Sequence, residues 1–215
     1  MSANPPSNQG SKSPTVFVVD DDASMRNALS NLLRSAGIQV ETFASTAEFQ
    51  ERPKDDSASC LVLDVRLQGA SGLEFQRQLA SSHSNIPIVF ITGHGDIEMS
   101  VKAMKAGAVD FLAKPFREQD LLDAVSAALQ ADIKRRETQE QFSELHKHYQ
   151  SLTVREKEVM ALAAKGLMNK QIAGQMNLSE ITVKIHRGHA MKKMNAKSFA
   201  DLVRMSEALG ERLQH

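Results

Sequence analysis

LVLDVRLQGASG, residues 61–72, reads as the end of a buried strand that runs into a turn. Leu61, Val62 and Leu63 form the apolar run of a strand covered on both faces, and Asp64 stands at its far end. An unpaired carboxylate at that depth costs several kcal/mol, a large part of what keeps a domain folded. Asp64 must therefore reach solvent or meet a cation, and the surrounding sequence has to show which.

Outward from this stretch, short apolar runs alternate with longer amphipathic ones. TVFVV (15–19), QVETF (39–43), SCLVL (59–63), PIVFI (87–91) and AVDFL (108–112) read as five strands. Helices are expected at about 23–36, 45–51, 72–81, 96–106 and from 117 onward. Strands alternating with helices give a five-stranded parallel sheet covered on both faces, so residues 15–123 are expected to form one doubly wound α/β domain.

In such a sheet, ligands gather outside the carboxyl ends of the strands. Those ends carry Asp20 and Asp21 on the first strand, Asp64 on the third, Thr92 on the fourth and Lys114 on the fifth. Convergent carboxylates are hard oxygen ligands suited to Mg²⁺, with Mn²⁺ as a substitute, and such an ion shares its remaining positions with water and a phosphate oxygen. Lys114 adds a point charge for phosphate and Thr92 a hydroxyl donor. Taken singly, DDD (20–22) is an acidic helix start, Lys114 a surface lysine before Pro115 and Thr92 a turn residue. Together at four strand ends they point to a phosphate-and-magnesium site, which supplies Asp64 with its cation.

From Arg117 to Gln150 there is neither Gly nor Pro, which permits one long helix. Leu122, Val125 and Leu129 fall at heptad-like spacing, as do Phe142, Leu145, Tyr149 and Leu152, with the polar stretch DIKRRETQEQ (132–141) between them. Residues 124–150 are expected to be a helical linker, either a seam that pairs with a copy of itself or a solvated spacer.

Beyond the linker the pattern is wholly helical. TVRE (153–156) is a capping box with Thr153 as N-cap, Val159, Met160, Leu162 and Ala163 follow as an apolar face, and Gly166 ends the helix. A short helix from about Asn169 to Met176, a second N-cap at Ser179, a helix to about Met194 and a last one from Ser198 to Leu209 complete the region. Two short helices joined by a tight turn, the second basic, read as a helix-turn-helix, so residues 151–215 are expected to be an all-α, four-helix DNA-binding domain. On the second helix Val183, His186, Ala190, Met191 and Met194 share an inward stripe, and Lys184, Ile185, Gly188 and Lys192 fall opposite. Lysine reads guanine or phosphate and an aliphatic chain meets a thymine methyl, so Lys184, Ile185 and Gly188 are the candidate base readers, the glycine being either a closer backbone approach or tolerated drift. Lys170, Lys192, Lys193 and Lys197 are candidate phosphate contacts.

The charge distribution agrees. The net charge is zero, yet residues 1–123 carry 11 Lys+Arg against 16 Asp+Glu, residues 124–150 carry 4 against 4, and residues 151–215 carry 11 against 6. An acidic half that handles a cation is joined to a basic half that meets a polyanion. Residues 1–14 are polar with three prolines and read as a disordered tail, not a signal peptide. No stretch approaches the roughly 18 apolar residues of a membrane span, and the single cysteine, Cys60, has no internal disulfide partner. A cytoplasmic protein with no membrane contact is expected.

Seven segments carry a family resemblance: VVDDD (18–22), LVLD (61–64), ITGHGD (91–96), KAMKAGAVDFLAKPF (102–116), LTVREKEV (152–159), GLMNKQIA (166–173) and ITVKIHR (181–187). They resemble the bacterial two-component response regulators of the NarL/FixJ group, with a flavodoxin-like receiver domain and a LuxR-type output domain, over about residues 15–209. The resemblance implies that Asp64 accepts a phosphoryl group from a sensor histidine kinase. It implies Mg²⁺ held directly by Asp21, Asp64 and the backbone carbonyl of Arg66, and through water by Asp20. It also implies phosphoryl contacts from Thr92 and Lys114, an aromatic switch at Phe111, a cis Lys114-Pro115 bond, and tuning of dephosphorylation by Arg66 and His94. A homodimer formed on phosphorylation through Val101 and Lys105, double-stranded promoter DNA and RNA polymerase are the implied partners.

Two positions depart from the family. Gln68 and Gly69, with Gly72 after them, replace a common Met-Pro, which implies a freer loop and bears on the lifetime of the phosphorylated state. Gly188 stands where many relatives carry a side chain. Two rival functions remain at this point: a magnesium-dependent phosphohydrolase with Asp64 as covalent nucleophile, and a DNA-binding protein active without phosphorylation. The short loops, with no substrate-specificity insertion, speak against the first.

Overall fold

The computed structural model describes residues 13–53, 57–82, 84–93 and 97–212. The chain divides into two units, the first ending at Arg136 and the second beginning at Glu137. The first contains β1 (Thr15–Val19), α1 (Ala23–Ser35), β2 (Gln39–Phe43), α2 (Thr46–Glu51), β3 (Ser59–Asp64), β4 (Arg66–Leu67), β5 (Ala70–Ser71), α3 (Gly72–Ser81), β6 (Ile88–Thr92), α4 (Ile97–Lys105) and β7 (Asp110–Ala113). The helix α5 (Glu118–Gln150) begins in the first unit and ends in the second, which adds α6 (Val154–Ala164), α7 (Asn169–Met176), α8 (Glu180–Lys193) and α9 (Phe199–Arg212).

The main sheet has the order β2-β1-β3-β6-β7 with every pairing parallel. Its three central strands, β1, β3 and β6, are buried on both sides because alternate residues enter two different cores. Val16, Val18, Cys60, Val62, Val89 and Ile91 face Leu29 and Leu33 of α1 and Leu121, Val125 and Leu129 of α5. Phe17, Val19, Leu61, Leu63, Ile88 and Phe90 face Phe49 of α2, Phe75 and Leu79 of α3 and Ala103 of α4. The chain winds one way from β1 to β2 and the other way from β3, so the topological switch lies between β1 and β3. Their register runs from Thr15 opposite Ser59 to Val19 opposite Leu63, and one further step sets Asp20 beside Asp64.

Three features go beyond the sequence reading. Residues 66–71 form a small antiparallel hairpin, β4 against β5, with Gly69 at φ 76° in its turn, so the segment expected to be a freer loop is hydrogen-bonded structure. Gly72 follows where a Cβ would lie 2.5 Å from the carbonyl oxygen of Asp64, a close approach that only glycine allows. Third, Asp132 of α5 is buried. Its Oδ2 accepts the N–H of Ser59 at 2.9 Å and the Nε of Arg136 at 2.6 Å, and its Oδ1 accepts Arg135, joining α5 to the start of β3. Cys60, next to this contact, is fully buried, and burial together with the Asp132 charge pushes its thiol pKa up to about 12.

In the second unit, Met160, Ala190, Met194, Leu202 and Leu209 form one buried cluster, and Val159, Ala163, Ile172, Ala173 and Val183 a second. Phe142, Leu145 and Tyr149 from the end of α5 pack on the first cluster with buried Leu152. The heptad-like positions of α5 are thus taken up by their own units: Leu122, Val125 and Leu129 by the sheet, and Phe142, Leu145 and Tyr149 by the helical core. Among the described residues no helix is long and apolar enough to cross a membrane.

Asp132→Ala is expected to destabilise the first unit by about 1–3 kcal/mol in urea unfolding, because the buried Ser59 N–H loses its acceptor. Burial pushes the Asp132 carboxyl up, but Arg136, the Ser59 N–H and Arg135 outweigh it and hold the pKa below the usual aspartate range. The stability it contributes is therefore present at neutral pH and lost as pH falls through the carboxylate range toward the depressed folded-state value. Unfolding midpoints from pH 7 downward should show a shallower acid loss in Asp132→Asn than in the wild type.

Candidate functional site

At the carboxyl ends of the sheet, Asp20, Asp21 and Asp64 offer carboxylate oxygens that all lie within 4.8 Å of one another. Asp20 and Asp64 are buried, Asp21 half-buried. The backbone orients each buried carboxylate: Asp20 Oδ1 accepts the N–H of Asp22 at 2.8 Å, and Asp64 Oδ1 accepts the N–H of Arg66 at 2.9 Å. Arg26 Nη1 donates to the Asp20 carbonyl at 2.6 Å, a brace that the sequence did not flag. Asp22 has the other role open to a DDD triplet, capping α1 by accepting the N–H of Ser24 at 2.8 Å.

Lys114 bridges the two buried carboxylates. Its Nζ donates to Asp64 Oδ2 at 2.8 Å and to Asp20 Oδ2 at 2.9 Å. Burial works to lower its pKa, but the two carboxylates outweigh that and hold it above the ordinary lysine value, so the ammonium stays charged. The Lys114 N–H donates to the Thr92 carbonyl at 2.7 Å, which ties this residue to the end of β6, and Lys114-Pro115 is cis. Thr92 is fully buried at the last position of its strand. Phe111 is half-buried, its ring 6.3 Å from that of Phe90. Arg66 is exposed beside Asp64, and His94 lies outside the described residues.

Three clustered carboxylates, two of them buried and only two of their oxygens met by Lys114, match the donor set of a hard divalent ion. On α4, Val101 and Lys105 are exposed, and Ile97 and Met104 join Val101 as large exposed apolar side chains.

The second candidate site is α8. The turn before it passes through Asn177 at φ 55°, a left-handed conformation that asparagine tolerates, and Ser179 caps the helix by accepting the Thr182 N–H at 3.1 Å. Val183, Ala190 and Met194 are buried, while Lys184, Ile185, Gly188 and Lys192 are exposed. Lys170 and Lys197 are also exposed.

Lys193, half-buried, has a carboxylate partner within its own unit. Its Nζ lies 2.7 Å from Oε2 of Glu156, a buried carboxylate that also closes the capping box on the Thr153 N–H. Lys193 thus pairs with a carboxylate from α6 while 37% of its side chain stays exposed. Arg187, which the sequence reading passed over, donates to Asn169 at 3.1 Å and stacks over Phe199 at 4.0 Å, pinning α8 to α7 and α9.

Both units match known protein families. Residues 16–126 match the family described as the response regulator receiver domain, and residues 150–206 match the bacterial regulatory proteins of the luxR family. This chain is a response regulator of the NarL/FixJ group. It is 57% identical over 207 residues to nodulation protein W of Bradyrhizobium diazoefficiens, covering 96% of this chain and 91% of that protein. It is 38% identical over 195 residues to the transcriptional regulatory protein FixJ of Azorhizobium caulinodans, covering 91% of this chain and 92% of that one. Among solved structures, the response regulator StyR superposes with a TM-score of 0.83 at 53% identity, covering 92% of this chain and all (100%) of the other. The response regulator thus joins a receiver to a DNA-binding output domain, and its similarity to transcriptional regulators supports regulation rather than catalytic turnover.

Two outcomes follow from the charges. At about 100 times its Kd, Mg²⁺ should stabilise the receiver by about 2.7 kcal/mol, and thermal unfolding should show this shift in the wild type and little of it in Asp64→Asn. Lys193→Ala should lower the stability of the output domain by about 1–3 kcal/mol, measured by urea unfolding, because Glu156 is left buried without its cation.

Proposed function

We propose that Asp64 is the phosphoacceptor of this response regulator and that a sensor histidine kinase is the donor. The observation that carries the proposal is the double contact of Lys114 with Asp64 and Asp20 inside a cluster of three carboxylates. An Asp64 oxygen attacks the phosphorus of a phosphohistidine, the P–N bond breaks, and its electron pair stays on the imidazole, leaving an acyl phosphate on Asp64. Mg²⁺ held by Asp20, Asp21, Asp64 and the Arg66 carbonyl would offset the negative charge of the incoming phosphoryl group. Lys114 exchanges a carboxylate oxygen for a phosphoryl oxygen, and Thr92 and Phe111 respond to the same group. Arg66 and His94 tune its slow hydrolysis.

Phosphorylation shifts the population toward a homodimer whose contact includes Val101 and Lys105. The exposed apolar side chains of Ile97, Val101 and Met104 on α4 support this reading. The dimer places two output domains on two half-sites of promoter DNA, where Lys184, Ile185 and Gly188 meet base edges and Lys170, Lys192, Lys193 and Lys197 meet phosphates. The protein works in the cytoplasm with RNA polymerase. The phosphohydrolase alternative requires turnover of a small substrate, and a constitutive DNA-binding protein would be indifferent to Asp64→Asn.

Acetyl phosphate with Mg²⁺ should add one phosphoryl group by intact mass and none to Asp64→Asn; label persisting in that variant would refute the assignment. In sedimentation, beryllofluoride should convert the wild type to dimer at micromolar concentration, and Val101→Asp should remain monomeric with its beryllofluoride still bound.

A further inference from the structure

Ile181, which the sequence reading did not single out, is 73% exposed at the second position of α8, and Ile185, one turn later, is 51% exposed. Isolated exposed aliphatics are ordinary on any protein surface. These two are not isolated from function. Ile181, Lys184, Ile185 and Gly188 follow an i, i+3, i+4, i+7 spacing, which at about 100° per residue confines them to a sector of about 100°. All four are exposed, while Val183 and Ala190 on the other side of the helix are buried. A Cβ built at Gly188 meets no atom within 4 Å, so nothing in the domain claims the space beside this stripe. Nor does any hydrogen bond draw Lys184 away: among the described contacts of α8, the cations engaged are Arg187 and Lys193.

We infer that Ile181 is a specificity-determining residue of the output domain, and that with Ile185 it reads thymine 5-methyl groups in the major groove. The inference rests on the DNA-binding reading of α8. The first turn of a recognition helix enters the groove deepest, so position 181 is among the nearest to base edges. An isoleucine there has no hydrogen bond to offer, and the only apolar feature a base pair presents in that groove is the thymine methyl. Its partner follows from spacing: four residues at 1.5 Å rise separate Ile181 and Ile185 by about 6 Å along the helix, about two base-pair steps. The preferred half-site therefore carries two thymines about two steps apart on the groove wall facing α8, with Lys184 between them for guanine or phosphate.

The test uses full-length protein activated with beryllofluoride and Mg²⁺, and a duplex enriched by it from a random pool. Each thymine is replaced singly by deoxyuridine, which removes the methyl group and changes nothing else. At one position the loss should weaken wild-type binding about fourfold, the value of one buried methyl, and should have no effect on Ile181→Ala. Ile181→Leu should retain the sensitivity. If every thymine-to-deoxyuridine change affects the wild type and Ile181→Ala equally, the assignment of Ile181 is overturned while the DNA-binding reading stands. If no duplex is enriched over random DNA, the reading of α8 falls and the assignment with it.

Discussion

Two carboxylates that the sheet register forces side by side, and the single lysine that reconciles them, set the terms for the receiver. Asp20 and Asp64 arrive at the ends of adjacent parallel strands with the same parity, so neither can turn away from the other without breaking the β1 and β3 pairing. Like charges at that distance and burial are tolerable only with a cation between them. Lys114 comes from beyond β7, two strands away from β3, and reaches both carboxylates only because its own N–H is fixed on the Thr92 carbonyl at the end of β6. Strand order, register and the charge cluster are therefore one constraint. Any group that takes Lys114 from Asp64 alters the balance at three strand ends together.

Much of this was legible in the sequence, for reasons that can be named. The apolar runs give the central strands because both faces of β1, β3 and β6 are covered, and the strand ends collect the site because the sheet is parallel. The capping box at Thr153 and Glu156 and the cap at Ser179 are local chemistry, decided within three residues, and they fall where the pattern puts them. What stayed hidden is long-range pairing of charge. Glu156 satisfies the capping motif and also pairs with Lys193, 37 residues away, a contact that no local motif reveals. Asp132 lies in a polar stretch that reads as solvated spacer, yet its carboxylate closes a contact with Ser59, 73 residues earlier. The hairpin at 66–71 is too short for any periodicity to reveal, although Gly69 marks its turn.

The output domain distributes its basic residues differently from what their number suggests. Arg187 and Lys193 hold α8 in place through Asn169, Phe199 and Glu156, so they serve the fold. Lys184 and Lys192 remain exposed around two isoleucines. A count of charge does not distinguish the cations that hold the helix from those that stay exposed on it.

The buried thiol of Cys60 has a practical consequence. With no exposure and a pKa of about 12, it presents almost no thiolate to alkylating reagents at neutral pH while the receiver is folded. Since the chain has no other cysteine, one introduced on the surface, for example at Ser198, becomes the sole reactive thiol of the native protein. A fluorophore or spin label can then be attached at a chosen position without first replacing Cys60, and any modification of Cys60 itself reports that the sheet has opened.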